Sequence, residues 1–248
     1  MILVSKAKKV FNRGTANELV ALSAVDIEIP KAEYIVVIGA NGSGKSTLLN
    51  AIAGNISLDE GEIIIDDVNV TRWKDYERSK FISRIFQNPL IGTAPDLSII
   101  ANFRLAALRS KSKKLQRGID AAFREKVKSK ISFLEMGLEN KLDLAMGLLS
   151  GGQRQALTLM MAVMDETKVI LLDEPTAALD PKSSEIVIEK THQLVDEYRL
   201  TAMLVTHEIK YANRYGSRVI QMAEGKIKRD IKAKEKQTTT AKQMYEWF

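Results

Sequence analysis

The chain has 248 residues, 45% apolar and 27% charged, with no cysteine and a net charge of +6. That length suits one large α/β domain, or a core domain with a smaller inserted subdomain, and leaves no room for two such domains in tandem. Disulfides and cysteine-based zinc sites are excluded, and no apolar run approaches the roughly 20 residues of a membrane span, so the chain is not expected to form a pore itself.

Met1-Ile2-Leu3-Val4 precedes Lys6, Lys8 and Lys9. A signal peptide has the reverse charge order, so a first strand is expected, in a protein that stays in the cytosol. Val25 to Ile29 alternates with period two and stops at Pro30, as a half-buried strand does. Tyr34-Ile35-Val36-Val37-Ile38 is short, continuous and β-branched, the pattern of a strand buried on both faces of a parallel sheet. Ser46 to Ala53 predicts a helix with Leu48, Leu49 and Ile52 inward, and Glu62 to Ile65 another strand. From about Ser98 to Leu149 the texture becomes charged and helix-periodic, predicting an inserted helical subdomain. Val169 to Leu172 and Ala202 to Val205 return as buried strands. Between them a helix is expected to bury Ile186, Val187, Leu194, Val195 and Tyr198 on one face, with His192 on the surface. After Gly225 comes a Lys-rich tail, in which Thr238 to Thr240 could cap a last helix that packs Tyr245 and Trp247 on the core.

The basic excess concentrates between Arg109 and Lys130 (Lys111, Lys113, Lys114, Arg117, Arg124, Lys126, Lys128 and Lys130). It reads first as a solvated helical face, and second as a contact for anionic lipid. Nucleic acid is not expected, since Phe123 alone interleaves with these cations.

Gly39-Ala40-Asn41-Gly42-Ser43-Gly44-Lys45-Ser46 fits the phosphate-loop pattern G-x-x-x-x-G-K-[ST], placed between a buried strand and a helix as that pattern requires. The glycines let backbone N–H groups turn inward on phosphate oxygens; Lys45 adds a point charge, and the Ser46 hydroxyl is placed for Mg²⁺. Thr47 completes the loop's entry into the helix. Asp173-Glu174 ends a buried strand, so these carboxylates emerge at the carboxyl edge of the sheet, where open α/β sheets bind ligands. Asp173 is expected to hold Mg²⁺, directly or through water, and Glu174 to accept a proton from, or orient, an attacking water. Leu149-Ser150-Gly151-Gly152-Gln153 reads as a second anion-binding loop opening a helix: a serine hydroxyl and two residues without Cβ.

These motifs, in this order, resemble the ATP-binding-cassette (ABC) ATPases over nearly the whole chain. The resemblance implies a P-loop NTPase with a RecA-like core, an antiparallel β subdomain and an inserted helical subdomain. The expected division of the single 1–248 domain is residues 1–90 and 155–230 for the core with its β subdomain, 91–154 for the helical subdomain with the signature loop, and 231–248 for a tail. It implies ATP and Mg²⁺ as cofactors. It gives His207 a contact to the γ-phosphate and to Glu174, Gln87 a contact to the metal or the water, Asp180 the dimer-crossing D-loop, and Phe11 a stacking contact with adenine. Two chains would face head to tail, each a copy or a paralogue of the other. The phosphate loop of one and Ser150, Gly151, Gly152 and Gln153 of its partner would then enclose each ATP.

A narrower likeness lies in Gly92-Thr93-Ala94-Pro95, Leu148 to Leu159 and Pro175 to Asp180. It is to ATPases of importers with branched-chain-type permeases and lipoprotein binding proteins, often labelled tryptophan/tyrosine transporters. It implies an importer ATPase held at the inner face of the membrane by a permease docked between Asn88 and Asn102, where Leu90, Ile91, Leu97, Ile99 and Ile100 supply apolar surface. A soluble single-cassette ATPase of cytosolic assembly, as in iron–sulfur cluster scaffolds, is the alternative. Two departures from the family pattern stand out: Ala32 where a turn glycine is common, and Ala101 where a glutamate often precedes Asn102.

Overall fold

The strands pair into two sheets. The computed structural model describes residues 1–109, 118–165 and 167–247. The first half runs β1 (Ile2–Phe11), β2 (Leu19–Ile29), β3 (Tyr34–Ile38), α1 (Lys45–Ala53), β4 (Glu60–Ile65), β5 (Val68–Asn69), α2 (Asp75–Arg78), β6 (Ile82–Ile85) and α3 (Ile99–Ala107). Then follow α4 (Ala121–Ser132), two 3₁₀ turns (Leu138–Asn140 and Met146–Leu148), α5 (Gly151–Ala162), β7 (Val169–Asp173), α6 (Pro181–Glu197) and β8 (Thr201–Val205). The chain ends with α7 (Ile209–Arg214), β9 (Arg218–Ala223), β10 (Lys226–Ile231), α8 (Ala233–Thr238) and α9 (Ala241–Tyr245). Each strand expected from the sequence forms.

A four-stranded antiparallel sheet has the order β2-β1-β4-β5, and a six-stranded sheet the order β10-β9-β3-β8-β7-β6. The latter is parallel from β9 to β6, with β10 antiparallel at one edge. Alternation along its central strands assigns the two faces. Tyr34, Val36 and Ile38 of β3, Ile170 and Leu172 of β7, and Ala202 and Leu204 of β8 join α5, α6 and the helical region in one core. Ile35, Val37, Val169, Leu171, Met203 and Val205 join α1 and the antiparallel sheet in the other. Burial on both faces is why these strands lack polar residues.

The helical region is pinned by one buried side chain. Asn102 on α3 accepts from the Ala94 N–H (2.8 Å) and donates to the carbonyls of Ala94, Leu97 and Ser98. Ala101 beside it leaves this staple intact. Ala32 makes its turn at φ 58°, the left-handed region an L residue enters at a cost of roughly 1–2 kcal/mol, and donates its N–H to Thr201 Oγ1.

Three expectations about faces are corrected. The inward face of α6 is Val187, Ile188, Thr191, Leu194 and Val195, whereas Tyr198 lies exposed beyond the helix and Ile186 is half-buried. His192 is not a surface residue: its half-buried ring sits 5.3 Å from that of Tyr215 and 6.3 Å from that of Tyr34. Thr240 caps α9 and the segment packs on the core as expected, but through Met244 and the partly buried Trp247, while Tyr245 is exposed. Of the basic segment, Lys111, Lys113, Lys114 and Arg117 lie outside the described residues. Arg109 points inward to Ser83 and Thr167, Arg124 pairs with Asp143, and Lys126 and Lys128 are exposed.

Candidate functional site

The carboxyl ends of β3, β7, β8 and β6 bring four sequence-distant segments to one edge of the parallel sheet. Leaving β3, the loop 39–44 wraps so tightly that a Cβ on Gly39 would lie 2.3 Å from the Met222 carbonyl oxygen, and one on Gly44 (φ +99°) 2.5 Å from that of Ala21. Only glycine fits either position. Gly42 faces open space, and the buried Ser43 hydroxyl has no partner among the described residues. Lys45 Nζ lies inside the loop, donating to the carbonyls of Gly39 (2.8 Å) and Ala40 (2.9 Å). Burial pushes its ammonium below the usual lysine range, against the pull of Glu174 and Asp173. α1 starts at Lys45, so the first-turn N–H groups of Lys45, Ser46 and Thr47 point back at the loop's hollow.

From β7 and the residue after it come the two carboxylates. Asp173 Oδ1 accepts from the Ser46 hydroxyl at 3.2 Å, and Oδ2 from Arg84 at 2.9 Å. Glu174 sits at φ 46° with its N–H donated to the Val205 carbonyl, so the chain turns left-handed and aims the two carboxylates differently. Its Oε2 accepts from His207 Nδ1 at 3.1 Å, across from the end of β8. Gly39, Ala40, Asn41, Glu174, His207, Ile209 and Tyr245 line one cavity of about 400 Å³. The sequence points to all of these but Ala40, Ile209 and Tyr245, the last being assigned to core packing.

Gln87 lies exposed two residues beyond β6, whose Ile85 pairs with Leu172 next to Asp173. Phe11 ends β1 opposite Leu19, is half-buried, and belongs to neither core. It shares its edge with the stretch of β2 that presses on Gly44. The signature loop stands apart from these residues in the same chain. Ser150 is the N-cap of α5, in a capping box with Gln153. Gly151 and Gly152 open that helix, and Gly152 has an intramolecular reason to be glycine: a Cβ there would lie 2.6 Å from the Ser183 side chain. Asp180 caps α6, and hydrogen bonding at Ser183 holds its carboxyl below the usual range.

Two residues at the site carried no signal in the sequence. Gln155, fully buried, donates through Nε2 to the carbonyls of Phe86 and Pro175, both at 2.9 Å. One amide thereby ties the segment before Gln87 to the segment after Glu174. Arg154 donates to the carbonyls of Met146, Gly147 and Leu149 and shapes the approach to Ser150. Gln155 stands directly before the mostly apolar stretch Ala156 to Ala162, a placement that does not by itself mark it.

A larger groove of about 750 Å³ lies between β6, α3 and α5, lined by Arg84, Ile91, Thr93, Leu105, Leu108 and Met161 among others. Of the apolar residues expected between Asn88 and Asn102, Leu90, Ile91 and Leu97 are exposed. Ile99 and Ile100 are instead buried anchors of α3.

Residues 22–177, which hold the loop, the signature and the Asp173-Glu174 strand end, match the family model described as ABC transporter. The chain belongs to the ABC transporter ATP-binding family. It is 38% identical over its full length to the tyrosine transport ATP-binding protein of Clostridioides difficile, covering 98% of that protein. It is 30% identical over 92% of its length to the phosphonates import ATP-binding protein PhnC of Lactococcus lactis subsp. lactis, covering 91% of it. A cassette solved as a dimer in a post-hydrolysis state with ADP and Pi superposes with a TM-score of 0.79 at 28% identity, over 94% of this chain and 99% of that one. The fold is that of a P-loop NTPase, and the protein is an ATPase that binds ATP. Among the described residues no helix is long and apolar enough to cross a membrane.

Proposed function

We propose that this cassette is the energy-coupling ATPase of a membrane importer, acting as a head-to-tail dimer with a copy or paralogue of itself. It would be held at the inner face of the membrane by a permease seated in the groove between β6, α3 and α5. The observation that carries the reading is the cavity that gathers Asn41, Glu174 and His207. Phosphate-loop backbone, a carboxylate and an imidazole meet there with the carboxylate already oriented.

The donors fit a magnesium nucleotide. Asp173 Oδ1, the Ser46 hydroxyl and the Gln87 amide are hard oxygen ligands too few to cage a metal alone, which is how Mg²⁺ shared with phosphates is held. Such an ion would neutralise charge on the β- and γ-phosphates. Lys45 leaves the Gly39 and Ala40 carbonyls for phosphate oxygens, and Phe11 stacks on adenine. His207 holds Glu174 through Oε2 and leaves Oε1 to take a proton from water. Ser150, Gly151, Gly152 and Gln153 complete the site from the partner, with Asp180 at the crossing. Closure on ATP and reopening after hydrolysis supply the motion.

An amino acid is the solute class favoured, supported by the tyrosine transport relative and by the local wording around Gly92 and Leu148 to Leu159. The phosphonate-import likeness is weaker in identity. A substrate-binding protein would deliver the solute to the permease. The test is Glu174→Gln. It should bind ATP, hydrolyse it at under about a hundredth of the wild-type rate, and accumulate an ATP-dependent dimer in size-exclusion chromatography. A variant that turned over freely would overturn the general-base role.

A further inference from the structure

Arg84 is a cation at the metal carboxylate that neither the motifs nor the family match assigns. Its Nη2 donates to Asp173 Oδ2 (2.9 Å), its Nη1 to Asn55 Oδ1 (2.7 Å), and its guanidinium lies 4.7 Å over the Phe86 ring. The two charged side chains are only 14% and 17% exposed, and Arg84 Nε is buried without a partner among the described residues. The pair is therefore poorly screened, and the guanidinium is held on three sides by the fold. Arg84 also forms part of the wall of the groove between β6, α3 and α5.

We infer that Arg84 is the resident counter-cation of Asp173, neutralising it when no metal is bound and opposing the metal's charge when one is. The inference rests on Asp173 being the metal carboxylate. Without a divalent ion, an ionised Asp173 beside the loop would repel a triphosphate. Arg84 cancels that charge on Oδ2 and leaves Oδ1, on the Ser46 side, available. Once a divalent ion shares the carboxylate, the guanidinium is a like charge at close range. Arg84 thus flattens the difference between metal-free and metal-loaded nucleotide binding.

The readout is the ratio of ATP dissociation constants in EDTA and in Mg²⁺, measured with a fluorescent ATP analogue on the full-length Glu174→Gln protein, which does not consume it. By linkage this ratio is the coupling between metal and nucleotide. Arg84→Gln should weaken binding in EDTA and leave or improve it in Mg²⁺, raising the ratio about tenfold. Arg84→Lys, which keeps the charge, should return it towards the parent value. In an Asp173→Asn background, Arg84→Gln should have no further effect on the ratio. An unchanged ratio, or affinities that fall equally in both conditions as loss of a mere strut would cause, overturns the inference. If Asp173→Asn alone leaves the ratio intact, the metal role of Asp173 fails instead.

Discussion

Gln155→Leu separates two effects that one amide serves. The substitution roughly conserves volume, so no large cavity opens, but the carbonyls of Phe86 and Pro175 each lose a buried donor. A lost hydrogen bond with its acceptor left in a dry site costs about 1–3 kcal/mol. Relief comes from the Gln155 Oε1, which is itself buried without a partner among the described residues and disappears. About 3 kcal/mol is the expected loss, or roughly 6–12 °C in Tm for a domain of this size. The kinetic effect should be larger than stability accounts for. Phe86 adjoins Gln87 and Pro175 adjoins Glu174, so both residues proposed to flank the attacking water lose a common tether. A misplacement of about 1 Å can cost on the order of 10²-fold in rate. Calorimetry, and steady-state ATPase assays well below the mutant's Tm, would measure the two separately. A Tm within about 2 °C of wild type together with an unchanged kcat would refute the tether.

Ala32→Gly should stabilise the protein by up to about 1 kcal/mol in denaturant unfolding, because relieving the left-handed turn at φ 58°, worth roughly 1–2 kcal/mol, outweighs the roughly 0.4–1 kcal/mol that glycine's added unfolded-state entropy takes back. Asn102→Leu should unfold or loosen the helical region at a cost of several kcal/mol, since four backbone contacts lose their partner; hydrogen exchange in 94–107 would report it. Ser150→Arg should leave ATP binding to the monomer intact and abolish hydrolysis, and surviving activity in an ATPase assay would sink the shared-site model. Burial pushes Lys236 down to about 8 while it donates to the carbonyls of Tyr215 and Gly216. Between that value and the ordinary lysine range near 10.4 the unfolded chain binds more protons, so this residue makes stability rise with pH across that window. Lys236→Met should flatten that limb of the curve in urea titrations.

What was legible in the sequence was contiguous chemistry. The phosphate loop, Asp173-Glu174 and the signature each place their residues within a few positions, and the buried strands carry apolar runs with no polar interruption. What was not legible depends on partners far along the chain. Arg84 meets Asp173 across 89 positions, and Gln155 meets Phe86 across 69; no local pattern marks either side chain. β9 escaped for a related reason. Its Arg218 and Gln221 look like surface residues, yet both are buried, one paired with Asp230 and the Glu28 carbonyl, the other with the Trp247 carbonyl. Tyr245 was misjudged because an aromatic on a short amphipathic helix ordinarily packs, and here Met244 takes that role.

Four side chains of the site share one property that bears on how ATP acts. Each is engaged within its own chain: Lys45 with two loop carbonyls, Asp173 with Ser46 and Arg84, Glu174 with His207, and Ser150 with the amide of Gln153. Nucleotide and partner must therefore exchange existing hydrogen bonds for new ones, and an exchange of like bonds is worth little net. In the proposed dimer, the surplus that drives closure has to come from groups with nothing to exchange. Among the described residues these are the first-turn N–H groups of α1, the Ser43 hydroxyl and the Gly151 and Gly152 N–H groups that open α5. The first two lie in the phosphate loop and the third in the signature, on different surfaces of one chain. In the proposed head-to-tail dimer, a single phosphate group would satisfy both only when two chains meet. On this argument ATP should bind the monomer weakly through the loop alone, with the affinity of the second contact released as closure.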